Sequence, residues 1–215
     1  MKKLLALLLV LVMLFSFAAC GGEEADAPKT EEKKTQETQT AEEETGSIPR
    51  GEVKDNVYTS AYSGLTVTLP EGAKWKFSTD EELASDMDVS VSLLKNDLYA
   101  ALSQTSTAYD LKAMDTVSGS SLEISYEFYT KTAEDYLKSV KAKMDSLSGV
   151  EYEIEKEGET VTFGGKEYLS AVYMKESVGT TSNLNYFVRV EEGILHVVLF
   201  TEFYGFQGDV ATMFK

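Results

Sequence analysis

Several residue types are nearly missing from this chain of 215 residues, which has one cysteine, one histidine, one tryptophan and three prolines. Because Cys20 is the only cysteine, the chain has no internal disulfide. One cysteine and one histidine, His196, also exclude a zinc site built from several His and Cys ligands. The folded part must therefore draw its stability from an apolar core.

Sequence motifs that mark common enzyme sites are missing as well. The chain has no Gly-x-Ser-x-Gly nucleophile turn and no glycine-rich phosphate loop between a strand and a helix. A Ser-His-acid site would have to use His196, which lies in the most apolar predicted strand and is interpreted as a core residue. The sequence therefore predicts no catalytic residues, no cofactor and no enzymatic activity.

The first twenty residues have the parts of a bacterial export signal. Lys2 and Lys3 form a basic start, residues 4–17 form an uncharged apolar run, and Phe17-Ala18-Ala19-Cys20 follows at once. The apolar run is too short for an ordinary membrane-spanning helix, which needs about 20 residues. It has the length of the apolar part of a secretory signal peptide.

The small residues before Cys20 resemble the lipobox of bacterial lipoproteins. This resemblance implies that residues 1–19 are a signal peptide and that the Cys20 thiol receives diacylglycerol, with acyl chains such as palmitate. Two acyl chains hold a protein stably on a bilayer, whereas one does not. We therefore expect an extracytoplasmic protein, anchored to the cell membrane by the lipid on Cys20. Plain secretion and a retained membrane anchor remain as alternatives.

The residues that follow Cys20 are predicted to form a disordered acidic linker up to residue 50. From Gly21 to Arg50 there are nine acidic and four basic residues and almost no apolar ones. Such a segment cannot bury enough surface to offset the entropy that it would lose on ordering. As a flexible chain it would span roughly 30 Å, which would hold residues 51–215 away from the bilayer.

The acidic balance of the chain restricts its partners. The formal net charge is −16, and once the two lysines of the signal and the net −5 of the linker are set aside, residues 51–215 carry −13. Nucleic-acid binding is excluded, because it depends on basic side chains that neutralise phosphates. Anionic headgroups would also repel the domain. An acidic surface suits a basic protein partner or divalent cations.

Apolar residues at helical spacing, with capping residues at their ends, predict four helices. Thr79 before three acidic residues indicates a helix start. A second helix is predicted over residues 90–103, and the clearest covers residues 132–148, with Gly149 as its C-cap. A last helix is predicted over residues 206–214. The chain ends inside it without a cap, which would indicate a truncated C-terminus.

Short alternating segments separated by turn residues predict the strands. Before the longest helix they cover residues 57–62, 65–69, 74–77, 109–115 and 120–129. After it they cover residues 152–156, 159–163, 166–175, 184–191 and 194–203. Glu157-Gly158, Gly164-Gly165 and Glu192-Gly193 are predicted to be the tight turns of an antiparallel meander. The last strand is apolar on both faces, so it should be central and covered on both sides.

These elements predict an α+β fold, an antiparallel β-sheet meander with helices packed on its faces. Their order resembles the PsbP-like superfamily of α-β-α sandwiches in three places: residues 58–71, the helix over residues 132–148, and the meander over residues 159–203. The resemblance covers most of residues 57–215. It implies a module that binds other macromolecules and is not an enzyme, and it assigns no binding residue.

The leading hypothesis is a surface-anchored, non-enzymatic binding or accessory module of the cell envelope, with an envelope protein as its partner. One alternative is an extracytoplasmic hydrolase that uses two of the 27 acidic residues of the domain. Another is a receptor for a small solute or a cation. The candidate carboxylates for a cation are Asp80, Glu81, Glu82, Asp86 and Asp88.

Overall fold

The computed structural model describes residues 46–71, 73–147, 150–177 and 179–215. The predicted signal peptide, Cys20 and the linker up to residue 45 lie outside the described residues, as does Gly149. Their assignments stay predictions. Of the helices in the described part of the chain, none has both the length and the apolar character needed to cross a membrane.

The strands of the described residues form two antiparallel sheets. The smaller has the order β1-β2-β3, with strands β1 (Glu52–Lys54), β2 (Val57–Thr59) and β3 (Thr66–Thr68). The larger has seven strands in the order β4-β5-β6-β10-β9-β8-β7. They are β4 (Trp75–Phe77), β5 (Ala108–Asp115), β6 (Ser121–Phe128), β7 (Val150–Phe163), β8 (Lys166–Ser177), β9 (Thr180–Glu191) and β10 (Ile194–Phe203).

Strand β10 lies in the middle of the larger sheet, between β6 and β9. Leu195 and Val197 are buried on one face, and Ile194, Val198 and Phe200 are buried on the other. A strand with apolar side chains on both faces requires cover on both sides of the sheet. The prediction of a central, doubly covered strand is confirmed.

One face of the sheet is covered by α4 (Ala133–Asp145). Its Leu137 and Met144 pack with Val188, Leu195 and other residues of β8, β9 and β10. A capping box starts the helix, because the side chain of Thr132 accepts the Asp135 N–H while the Asp135 carboxylate accepts the Thr132 N–H. The helix predicted from the apolar stripe is therefore present where expected.

The opposite face is covered by the smaller sheet and by four short helices, α1 (Asp80–Met87), α2 (Val91–Asn96), α3 (Leu98–Leu102) and α5 (Val210–Met213). Leu83, Leu94 and Leu98 pack with Tyr126 and Ile194 of the larger sheet. With an antiparallel meander between helical layers, the predicted α+β class is confirmed.

One predicted helix is divided in two. Residues 90–103 form α2 and α3, and Asp97 between them is extended, with φ −164° and ψ 120°. Oδ1 of Asp97 accepts the N–H of Tyr99 at 2.8 Å and the N–H of Ile48 at 2.9 Å. The prediction of one continuous helix was wrong because this carboxylate caps a new helix and binds a distant segment. The spacing of apolar residues, on which the helix prediction rested, contains no information about these two hydrogen bonds.

Two predicted strands, over residues 152–156 and 159–163, form the single strand β7. The pairing register with β8 shifts between Ile154 and Lys156 and again between Glu157 and Glu159. Gly158 has φ +82° at the second irregularity. The prediction of a tight turn at Glu157-Gly158 was wrong, because the glycine serves a β-bulge, which inserts an extra residue without reversing the chain.

The last helix is shorter than predicted. Only α5 is helical, and the residues after it return to an extended form. Phe214 forms a β-bridge with Val67, and Lys215 exchanges two backbone hydrogen bonds with Thr66, at 2.9 and 3.0 Å. The apolar residues that suggested a longer helix, Phe206 among them, instead fill the core between the two sheets.

Thr79→Ala is expected to lower the free energy of unfolding by about 1 kcal/mol. Thr79 Oγ1 accepts the N–H of Glu82, and the Glu82 carboxylate accepts the N–H of Thr79 at 2.9 Å. Urea unfolding measures the loss. Glu81→Ala lies in the same helical turn and leaves both bonds intact, so it should stay near wild type. Equal losses in the two variants would show that the cap contributes nothing.

Candidate functional site

A cleft of about 590 Å³ opens beside the first turn of α1. Its charged groups come from Arg50, Asp80, Glu81, Lys95 and Asp110, and Phe77 is among its apolar walls. Clefts that combine apolar walls with a few convergent polar groups are the usual places for ligands and catalysis. This one is therefore the first site to consider in the described part of the chain.

Arg50 reaches the cleft because residues 46–50 pack against the domain. Ile48 is 1% exposed, and its carbonyl oxygen accepts the N–H of Leu98 at 3.0 Å. These contacts fix the chain two residues before Arg50. The guanidinium group then donates to Asp80 Oδ1 at 2.5 Å and to the backbone oxygen of Asp110 at 2.8 Å. The contacts of the domain thus extend upstream of residue 51.

Asp80 joins two cations at the mouth of the cleft. Oδ1 pairs with Arg50, and Oδ2 lies 3.2 Å from Lys95 Nζ. Burial opposes ionisation, but the hydrogen bonds from Arg50 and Lys95 outweigh it and hold the pKa of Asp80 below its ordinary value. Asp80 is therefore an ionised ligand of two basic side chains and not a proton donor.

Asp110 lies at the floor of the cleft because of a β-bulge. The pairing of β5 with β6 skips from Tyr109 to Leu111, so Asp110 is the extra residue and turns inward. Oδ1 accepts the N–H of Gly51 at 2.9 Å, and Oδ2 accepts the hydroxyl of Tyr58 at 2.6 Å. Burial raises the pKa of Asp110, against the lowering effect of these hydrogen bonds.

Of the three acidic residues that line the cleft, Asp80 and Asp110 do not form an open pair. The Asp110 side chain is 0% exposed, and Arg50 Nε lies 3.7 Å from its Oδ1 on the side of the cleft. A glycosidase requires two carboxyl groups that face the same bond of a substrate. Here Arg50 contacts both acids, Asp80 and Asp110, and Asp110 is enclosed. This arrangement favours a structural role, in which Arg50 ties the two acids together, over a hydrolytic centre.

Tyr126 contacts both Asp110 and a second set of buried polar side chains, which includes His196 and Arg189. The Tyr126 hydroxyl donates to Asp110 Oδ2 at 3.3 Å, and its ring meets His196 edge to face at 4.9 Å. His196 stacks on Tyr62, and its Nδ1 lies 3.1 Å from Arg189 Nη2. Arg189 in turn pairs with Glu191. The Asp110 hydrogen bonds and the Arg189–His196 contact are therefore joined through the ring of Tyr126.

Because of His196, the stability of the domain is expected to decrease at acidic pH. Burial, and next the charge of Arg189, lower the pKa of His196 to about 3, whereas the unfolded chain has a value of about 6.5. Below pH 6.5 the imidazole of His196 is protonated in the unfolded chain but stays neutral in the folded chain. The contribution of His196 to stability is therefore complete above pH 6.5 and falls by up to about 1.4 kcal/mol per pH unit as pH decreases toward 3.

His196→Phe is expected to remove this contribution. Between pH 7 and pH 5, the wild-type chain should lose about 2 kcal/mol more unfolding free energy than the variant. Urea unfolding at both pH values measures the difference, and the other titrating groups cancel because they are common to both proteins. An equal loss in the two proteins would show that His196 binds a proton in the folded state.

The candidate cation ligands are not brought together. Asp80 pairs with Arg50 and Lys95, Glu82 with Lys76, and Asp86 with Lys112. Asp88 ends α1 with a left-handed φ of 56°. Among the described residues, no three His, Cys, Asp or Glu side chains form a group that could hold a metal ion.

Sequence reasoning missed Arg50 and Asp110, and it placed Arg50 in the linker. One signal was present: Asp110 lies between Tyr109 and Leu111 in β5, and an acid buried in a strand requires partners. The sequence does not name those partners, because Arg50 is 60 positions away from Asp110. His196 is buried as predicted, but it contacts Arg189 and two tyrosines in addition to apolar side chains.

The chain was compared with protein families, curated proteins and solved structures. No protein-family model matches the chain, and no curated protein matches it in sequence. Among solved structures, it is similar to the solution structure of cyanobacterial PsbP (CyanoP) from Synechocystis sp. PCC 6803. The two share 14% identity with a TM-score of 0.42, over 69% of this chain and 79% of that chain. Nothing about function follows from so distant a likeness.

Proposed function

We propose that this chain is an extracytoplasmic lipoprotein whose folded domain is a non-enzymatic binding or accessory module of the cell envelope. The lipid on Cys20 holds it at the membrane, residues 21–45 act as a spacer, and the domain meets an envelope protein. The proposal assigns the domain no cofactor, no metal and no nucleic-acid partner.

The observation that carries the non-enzymatic part is the internal pairing of Asp80 and Asp110, two of the acidic residues that line the cleft. Asp110 is fully enclosed and accepts hydrogen bonds from Gly51, Tyr58 and Tyr126. Asp80 is bound by Arg50 and Lys95. General acid–base catalysis requires a group that reaches the substrate and exchanges a proton. Carboxylates that are already bound by neighbouring side chains support a rigid scaffold better than a catalytic centre.

The N-terminal sequence supports the location. The basic start, the apolar run of residues 4–17 and the small residues before Cys20 together specify export and lipidation. The net charge of −13 on residues 51–215 makes the domain surface itself a poor binder of anionic lipid. The lipid would then be the sole membrane contact and would leave the domain surface free for a protein partner.

Cys20→Ser is expected to release the protein from the membrane. The full-length precursor and the variant are expressed in a bacterial host fed with an alkyne analogue of palmitate, and membrane and soluble fractions are compared. Wild-type protein should carry the label in the membrane fraction, and the variant should carry no label. Equal labelling of both proteins, or membrane retention of an unlabelled variant, would contradict anchoring through Cys20.

Crosslinking in native membranes tests the accessory role. The intact protein is crosslinked in place and purified, and bound material is identified by mass spectrometry, with the Cys20→Ser variant as the matched control. One dominant and reproducible envelope protein, lost in the variant, is the expected result. Recovery of glycans or small molecules alone would favour the receptor or hydrolase hypothesis.

A further inference from the structure

An open groove of about 340 Å³ lies on the larger sheet, on the face opposite to α4. Met174, Asn183 and Glu202 form its floor, because they are directly opposite one another on β8, β9 and β10 and such residues share a face. Glu202 is two residues from Phe200, which packs in the core under the smaller sheet, so both lie on the same side. Residues 203–206 complete the wall, and no described residue of the smaller sheet covers this end.

The charged residues among the described ones that line this groove are both acidic. Glu155 comes from β7 and Glu202 from β10. None of the ion pairs of the described residues includes either of them. Burial raises the pKa of Glu202, and the charges of Glu155 and Asp209 raise it further, against a hydrogen bond from Asn183. The groove therefore has a negative potential, and no basic residue of its own lining balances it.

Glu202 differs in this respect from the other carboxyl groups that burial affects. Burial also raises the pKa of Asp110, but Arg50 lies nearby and its positive charge opposes the shift. The pKa of Glu127 is raised by burial as well, and its charged neighbour is Lys143. Among the described carboxyl groups whose pKa is raised, that of Glu202 alone has only acidic charges around it. A cation from outside the chain would supply the missing partner.

Aromatic side chains beside the two carboxylates favour an organic cation. Tyr204 is 100% exposed, and the ring of Phe206 is held against Trp75, with the ring centroids 6.3 Å apart. Positive charges are attracted to aromatic faces, and arginine and lysine also have apolar stems that pack on apolar surface. A metal ion is a poorer match, because no three His, Cys, Asp or Glu side chains of the described residues converge on one point.

The groove borders the most acidic strand of the domain. Strand β7 has five glutamates and one lysine, a net charge of −4, whereas no other strand is below −2. It is the last strand of the larger sheet, and from residue 151 to 160 every residue except Tyr152 is exposed. Such an edge attracts a basic partner and repels a second copy of this chain.

We propose that the groove between Glu155 and Glu202 binds an arginine or lysine side chain of a basic protein segment, which lies against the exposed strand β7. The inference rests on the proposed function and gives the chemistry of the envelope partner. Glu153 is directly opposite Met174 on the same face, so it extends the acidic surface from the groove to the sheet edge. Arginine suits the site best, because its planar guanidinium group can reach two carboxylates while it stacks on Tyr204.

The test is a fluorescence titration of the chain from residue 20, which carries Cys20→Ser to keep it free of lipid. The probe is a capped tetra-arginine peptide. Trp75 is the only tryptophan and contacts Phe206, so its emission reports occupation of the groove. We expect saturable binding. Glu155→Gln with Glu202→Gln should raise the Kd about tenfold, and Tyr204→Ala should raise it about threefold.

Glu52→Gln with Glu167→Gln is the matched control. Both residues are exposed, lie outside the groove and are in no ion pair of the described residues. The control removes the same charge, so its Kd should stay near that of wild type. Absence of saturable binding, equal Kd values in the two double variants, or binding of calcium without binding of the peptide would overturn the inference. If crosslinking in native membranes still recovers an envelope protein after such a result, the accessory role stands and only the assigned surface is wrong.

Discussion

Gly164→Ala is expected to lower the free energy of unfolding by about 3–5 kcal/mol. Gly164 lies in the turn between β7 and β8, with φ +56°, and its backbone approaches Gly64 in the loop between β2 and β3. A Cβ atom at Gly164 would lie 1.9 Å from the carbonyl oxygen of Gly64. Backbone atoms cannot rotate away as a side chain does, so the smaller sheet would have to separate from the larger one.

Gly165→Ala supplies the control for this substitution. Gly165 is the next residue of the same turn and also has a positive φ, +74°, but no other atom lies within 4 Å of an added Cβ. It should therefore show only the backbone penalty, about 1–2 kcal/mol. Urea unfolding followed by the fluorescence of Trp75 measures both variants. Equal losses would mean that the close approach of Gly64 and Gly164 is not present in solution.

Asp110→Ala is expected to cost about 3–5 kcal/mol of unfolding free energy. The substitution leaves the hydroxyl of Tyr58 and the N–H of Gly51 without their acceptor, and it leaves the half-buried guanidinium of Arg50 without one of its two carboxylates. Removing one member of a buried charged network is costly because the remaining members stay desolvated. The same unfolding measurement applies.

Two further variants separate charge from packing. Asp110→Asn keeps the shape and one acceptor oxygen, so its loss should lie between those of wild type and Asp110→Ala. Asp86→Ala breaks the more exposed ion pair with Lys112, at 2.8 Å, and should cost less than about 1 kcal/mol. If Asp110→Ala lost as little unfolding free energy as Asp86→Ala, the structural role of Asp110 would be contradicted.

The positions of most elements followed from local patterns. The start of α1 was indicated by Thr79 with its acidic neighbours, and α4 by an apolar stripe behind Thr132. The spacing of apolar residues along a helix and the capping of its ends depend on residues within about one or two turns. A single sequence therefore suffices to detect them. The meander order followed from turn glycines, and one of these, Gly158, proved to belong to a bulge.

The candidate sites were much less accessible to sequence reasoning. Arg50 stood in a segment whose composition predicted a linker, and Asp110 stood inside a predicted strand. Nothing near them in the chain names their partners, because their importance comes from the residues that they face. The acidic residues after Thr79 looked like a group in sequence but point to different partners in the fold.

The sequence alone determined the class of this protein: an antiparallel meander with a long helix, no disulfide, no His and Cys zinc site, and an N-terminus that predicts export and lipidation. Tertiary structure decided the rest. It turned Asp110 inward through a bulge and brought Gly64 against Gly164. The reason is distance along the chain, since pairs such as Tyr58 and Asp110 are 52 positions apart and meet only when the two sheets pack.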